Sequence, residues 1–162
     1  MLQVGISDLR YSDHGEKLKT TLGSCVSVIL YPQKPEPLLQ ACSMSHYLLP
    51  EPSNTREKEK RPMRFGSYLL PQQIQGMRRR GLPPEKLLAK ISGGASILSH
   101  RVKSIITDIG LLNVKLARDI LRQHGIRITG ENTGGEIGRS IEFDPASQKL
   151  RVHIFGSDPF FI

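Results

Sequence analysis

Tryptophan is absent, and aromatic residues make up only 6% of the 162 positions. That leaves few rings for the stacking platforms of single-strand nucleic-acid binders. No stretch approaches the ~20 apolar residues that cross a bilayer as a helix, so membrane insertion is not expected. Cysteine is nearly absent too: Cys25 and Cys42 are the only two. They form no CxxC and no His/Cys cluster with zinc spacing, which argues against a metal site. In a reducing compartment a disulfide between them is not expected either. Acidic residues are in deficit, 15 against 23 Lys and Arg, for a formal net charge of +8. Such a balance steers acidic partners toward the surface. Nucleic acid and an acidic protein face both satisfy it. With no helix-turn-helix, zinc or aromatic-rich signature, nucleic acid ranks last. Repeats and linker-like segments are missing, and the length suits one domain over 1–162. The opening residues, MLQVGISDLRYSDHGEK, place acids and turn formers where a secretory leader carries its apolar run, so a cytoplasmic protein is expected.

What is present reads as short strands and a few helices. Residues 1–9 alternate apolar and polar, predicting a first strand, and 10–17 a polar turn. KTTLGSCVSVILYP predicts a strand that starts after Gly23 or runs through it and ends at Pro32. QKPEPL reads as a turn, and LLQACSMSHYLLP as the returning strand with Cys42, Met44 and His46 on one face. A hairpin of these two runs brings Cys25 and His46 to the same end of a sheet. The Pro-bounded, charged segment 50–62 predicts an exposed loop. A helix is expected from about Leu70, with Pro71 in its first turn and Gly81 as its stop. LLAKISGG predicts a buried strand. Ile109, Leu112, Leu116 and Ile120 mark a helix over 107–124 that ends at Gly125. GIRITGENTGG predicts a strand and a turn, and SIEFDPASQKLRVHIF a hairpin about DPAS. This order is not a regular βαβ alternation. It predicts an α+β fold of mixed or antiparallel sheets packed against two or three helices.

Two residue types stand out chemically. Cys25 follows Gly23 and Ser24 in LGSCV, a turn able to expose a thiol and aim backbone N–H groups at one point, as acyl transfer requires. Taken alone, a cysteine at a strand start is more often a buried core residue. His46, on the expected adjacent strand, could accept the thiol proton and later protonate an amine leaving group. A Thr20 or Thr21 hydroxyl, or a backbone carbonyl, could orient the imidazole. His14, His100, His124 and His153 are tied to Cys25 by no simple hairpin. SGGAS (92–96) and NTGGEIGR (132–139) lack the GK[ST] of a P-loop and the GxGxxG context, so tight turns near the site are expected rather than phosphate cradles.

In order, LGSCV, SHYLLP, AKISGGAS, IGLLNV and NTGGEIGRSIEF make the chain resemble the CheD family of chemoreceptor glutamine deamidases, from about Gly5 to Phe155. Each block is weak alone; the ordered set is specific. The resemblance implies a cysteine hydrolase that converts selected glutamines of methyl-accepting chemotaxis receptors to glutamates, releasing ammonia. For some members it also implies hydrolysis of receptor glutamyl methyl esters. Its nucleophile matches Cys25 and its histidine His46. A threonine shortly before the cysteine completes the set, with Thr20 preferred and Thr21 close behind. Gly23 and Ser24 are the expected oxyanion and substrate-binding positions. The resemblance implies a core similar to cysteine-dependent deamidase toxins and no metal or organic cofactor. Its partners are the receptors and, in some members, a CheC-type phosphatase. A non-catalytic adaptor that binds receptors or such a phosphatase is the alternative.

Overall fold

A computed structural model describes residues 1–34, 41–96 and 108–162. Ten strands are described: β1 (Leu2–Gln3), β2 (Asp8–Ser12), β3 (Leu18–Leu22), β4 (Val26–Pro32), β5 (Cys42–Tyr47), β6 (Leu87–Gly93), β7 (Arg127–Thr133), β8 (Arg139–Asp144), β9 (Lys149–Ile154) and β10 (Phe160–Phe161). Three α-helices accompany them: α1 (Thr55–Lys60), α2 (Gly66–Arg79) and α3 (Ile109–Gln123). The strands form two five-stranded mixed sheets, ordered β1-β3-β8-β9-β10 and β2-β5-β4-β6-β7. Parallel pairing occurs at β1/β3 and β6/β7, and the other ladders are antiparallel. The fold is α+β, as the sequence predicts.

The second sheet is covered on both faces. Its odd-numbered β4 residues Ile29 and Tyr31, with Cys42 and Met44 of β5, pack against Leu18, Leu22, Phe143 and Val152 of the first sheet. Its even-numbered β4 residues, Val26, Val28 and Leu30, pack against Leu70, Ile74 and Met77 of α2 and Val114, Ala117 and Leu121 of α3. All seven residues of β4 are therefore buried, and the strand reads as a continuous apolar run rather than an alternation.

Several expectations change. The first nine residues are not one strand. The chain changes sheets between β1 and β2, through Ser7 at φ 61°. The expected turn 10–17 is shorter, because Arg10, Tyr11 and Ser12 belong to β2. The Tyr11 ring is sandwiched under Arg80, 3.8 Å from its centroid, and its hydroxyl donates to the Gln72 carbonyl. KTTLGSCV does not run through Gly23; it breaks over 23–25 as the chain passes from β3 in one sheet to β4 in the other. The charged segment 50–62 is exposed but holds α1, capped by Asn54 accepting from the Glu57 N–H at 3.0 Å.

The helix expected from Leu70 begins at Gly66, so Pro71 lies in its second turn. Two first-turn N–H groups explain the early start: Gly66 donates to the Leu49 carbonyl at 2.9 Å and Ser67 to that of Pro50 at 3.0 Å. The second helix ends as expected, with Gly81 at φ 81° and Leu82 N–H returning to the Met77 carbonyl. The last helix, α3, lies within the expected span, but its buried stripe is rotated. Gly110, Asn113, Val114, Ala117, Ile120 and Leu121 are buried, while Ile109, Leu112 and Leu116 are half-buried. The β4/β5 hairpin and the β8/β9 hairpin form as predicted. Most of the expected QKPEPL turn, and His100, lie outside the described residues.

Candidate active site

The break at 23–25 is the point from which the site is built. Every carbonyl of the segment is held. Gly23 accepts from Ala95 N–H at 2.8 Å and Cys25 from Gly94 N–H at 2.8 Å. Ser24 accepts from the Asn113 side-chain amide at 3.1 Å. The N–H groups of Gly23, Ser24 and Cys25 have no acceptor among the described residues. Gly93 explains why SGGAS needs glycine. At φ 112° it lies in backbone space closed to most side chains, and a Cβ there would sit 2.2 Å from the Cys25 carbonyl oxygen. The NTGG turn backs this loop, with Gly134 N–H donating to the Gly93 carbonyl at 2.9 Å. Arg139, itself buried, ties that turn down by donating to the Asn132 carbonyl at 2.7 Å and to the Gly134 carbonyl. The end of β6 and the 94–95 turn thus lie against the cysteine segment, and the NTGG turn backs them.

Strand register places the imidazole and the thiol on the same face of the second sheet. Ser27 of β4 pairs with His46 of β5. Cys25 precedes Ser27 by two residues on the same inter-sheet face, which makes Cys25 and His46 diagonal neighbours, about 7 Å apart at Cβ by ordinary ladder geometry and not hydrogen-bonded through Nε2. Thr20 reaches His46 from the opposing sheet, with Oγ1 2.8 Å from Nδ1. The same hydroxyl donates to the Val4 carbonyl at 2.7 Å. A hydroxyl has one proton. With that proton spent on Val4, the Thr20 oxygen can only accept, so Nδ1 carries the ring hydrogen. The Nε2 lone pair is then free, and Nε2 is buried without a partner. Thr21 does not share this contact. It lies on the exposed phase of β3 with Lys19, facing away from His46.

Burial sets the protonation states. Desolvation lowers His46 from 6.5 to about 4, partly opposed by the Val4 carbonyl and the charge of Asp8. Desolvation also raises the Cys25 thiol, and its own backbone N–H pulls it back down. The resting pair near neutral pH is therefore thiol and neutral imidazole. Cys25 keeps 7% of its surface exposed, whereas Cys42 is wholly buried, its thiol pushed up by desolvation to about 12. Only Cys25 is placed to meet a substrate. His14, His124 and His153 lie in a turn, at the end of α3 and in β9. No group of three potential metal ligands occurs among the described residues. None of their helices is long and apolar enough to cross a membrane.

Asn113 escaped the sequence reading. It is fully buried, and its side-chain amide donates both to Ser24 and to the Leu48 carbonyl at 3.0 Å. The Leu and Ile periodicity of α3 set the wrong face inward, and an asparagine inside a helix suggests solvent rather than core.

A thiol, a neutral imidazole with an unpartnered lone pair, and N–H donors with no acceptor among the described residues are the chemical parts of a thiol-dependent acyl-transfer site. Residues 48–154 match the family described as "CheD chemotactic sensory transduction". The chain is 35% identical over 157 residues to a probable chemoreceptor glutamine deamidase CheD of Desulforamulus reducens, covering 96% of this chain and 92% of that protein. It is 33% identical to the protein of that name from Caldanaerobacter subterraneus, over 96% and 94% of the two chains. For the one from Oceanobacillus iheyensis the figures are 31%, 100% and 96%. This chain belongs to the CheD family.

Proposed function

We infer that this protein is a chemoreceptor glutamine deamidase that uses Cys25 as its nucleophile. The observation that carries the mechanism is the tautomer of His46, which leaves the buried Nε2 lone pair without a partner on a strand that pairs with the one following Cys25. His46 takes the Cys25 thiol proton as the sulfur attacks the side-chain amide carbon of a receptor glutamine. The free N–H groups of 23–25 hold the oxyanion; loss of one such donor typically costs ~10²–10³ in rate. The imidazolium returns the proton to the departing ammonia, leaving a thioester. His46 then deprotonates a water, which attacks the thioester and releases glutamate and the free thiol. The net change is glutamine plus water to glutamate plus ammonia. A glutamyl methyl ester enters the same thioester with methanol leaving, so receptor methylesterase activity accompanies this reading. The reaction as read needs no metal or cofactor, and a substrate in the cytoplasmic segments of receptors goes with a cytoplasmic enzyme. Receptor helices rich in Glu and Gln suit the +8 charge. A CheC-type phosphatase, by resembling the receptor helix, would compete for the same face.

The test is ammonia release from a purified receptor cytoplasmic fragment, with glutamine-to-glutamate conversion followed by peptide mass. Wild type should convert specific glutamines and Cys25→Ala none. If reduced wild-type protein converts none in fragments from the same organism, the enzyme reading fails and a receptor- or phosphatase-binding adaptor replaces it.

A further inference from the structure

We propose that Asn113 is a positioning residue: its side-chain amide locks the Ser24–Cys25 peptide plane to the end of the His46 strand, and so aims the Cys25 N–H into the site. Four observations carry this. The amide donates to the Ser24 carbonyl at 3.1 Å and to the Leu48 carbonyl at 3.0 Å, so one group spans the cysteine segment and the chain two residues beyond His46. In a trans peptide the C=O and N–H of one unit point in opposite directions. Drawing the Ser24 carbonyl toward α3 therefore turns the Cys25 N–H to the inter-sheet side, where the Cys25 side chain packs. That N–H has no acceptor among the described residues, as an oxyanion donor awaiting substrate should. Finally, Asn113 is fully buried with Oδ1 unpartnered. A buried acceptor without a partner is costly, so the residue is kept for its donors. Its own backbone carbonyl accepts from the Tyr47 hydroxyl at 2.5 Å, which pins the start of α3 to the same strand end.

The inference concerns the site proposed above but can be tested without a receptor. Asn113→Leu keeps the branched outline, removes the donors and adds no charge, at the cost of extra bulk; Asn113→Ala, which leaves space instead, is the second variant. Tyr47→Phe is the control, since it loosens the same junction without touching the side-chain amide. Two readouts separate positioning from packing. One is the pH profile of iodoacetamide alkylation at Cys25, located by peptide mass; Tyr47 feels its charge and His46 stands diagonal to it across the ladder. The other is kcat against KM on a receptor fragment. Both Asn113 variants should move the alkylation profile to higher pH, because the N–H that favours the thiolate is no longer held. They should lower kcat by about the 10²–10³ of a lost oxyanion donor, with KM nearly unchanged. Tyr47→Phe should lower the melting temperature and leave the alkylation profile in place. A folded Asn113→Leu with the wild-type profile overturns the proposal, as does Tyr47→Phe shifting that profile equally. If neither Asn113 variant folds, the residue belongs to the fold alone and the proposal is also overturned. Should wild type fail to deamidate receptors, the functional reading falls while the alkylation profiles still decide the role of Asn113.

Discussion

A single hydroxyl proton decides the chemistry available at this site. Thr20 spends it on the Val4 carbonyl, and this forces the His46 hydrogen onto Nδ1 and frees Nε2. Thr20→Val removes the hydroxyl that holds Nδ1 and the Val4 carbonyl together and lets the ring turn or change tautomer. Its kcat should fall at least about tenfold and at most by the ~10²–10⁴ of lost general-base catalysis. Thr21→Val, on the outer phase of the same strand, should stay near wild type. Steady-state deamidation rates of the two variants check this, and equal losses would reject Thr20 as the orienting group. The sequence suggested Cys25, His46 and the threonine pair as one group, and only the family resemblance preferred Thr20 over Thr21. Strand phase decides it, and the phase depends on where β3 ends and the chain changes sheet.

At the scale of elements, α2 holds a proline in its interior. Pro71 sits in its second turn and removes the N–H that would reach the Ser67 carbonyl. The helix tolerates this because its buried stripe, Leu70, Ile74 and Met77, is held against the second sheet. Proline in a helix interior is about 3 kcal/mol less favourable than alanine, and part of that is offset by the greater freedom alanine brings to the unfolded chain. Pro71→Ala should therefore stabilise the protein by about 1–2 kcal/mol, read from denaturant midpoints at constant m. A lower midpoint would mean that the first turn is fixed by the proline rather than by Leu49 and Pro50. Hydrophobic spacing placed both long helices, because a periodic apolar stripe survives any tertiary arrangement. It missed the start of α2, whose first N–H groups are satisfied from a distant loop, and the inward face of α3.

For the whole molecule, the middle sheet is shared by two cores, and the site lies where the inter-sheet core meets solvent. Keeping His46 inside that core couples the site to global stability. Its pKa falls from 6.5 to about 4 on folding. Below pH 6.5 the unfolded chain binds a proton that the native ring refuses, so stability is full above that value and drains as the pH approaches 4. The shift corresponds to about 3 kcal/mol. Thermal melts from pH 7 to 4 should show wild type losing this amount relative to His46→Gln, which has nothing to titrate at that position. Parallel losses in the two proteins would show that the ring is not held neutral by burial.

Composition and local pattern by themselves pointed to the α+β class, the two hairpins and the expectation that Cys25 and His46 lie at the same end of one sheet. Each of these rests on residue spacing within one element or one tight connection. Only the tertiary structure decided which threonine faces the imidazole, why Gly93 cannot carry a Cβ and what Asn113 does. Those depend on contacts between segments far apart in the chain: Val4 with Thr20, Gly93 with Cys25, and Asn113 with both Ser24 and Leu48. No periodicity within a segment encodes them, because they arise where two sheets and a helix meet.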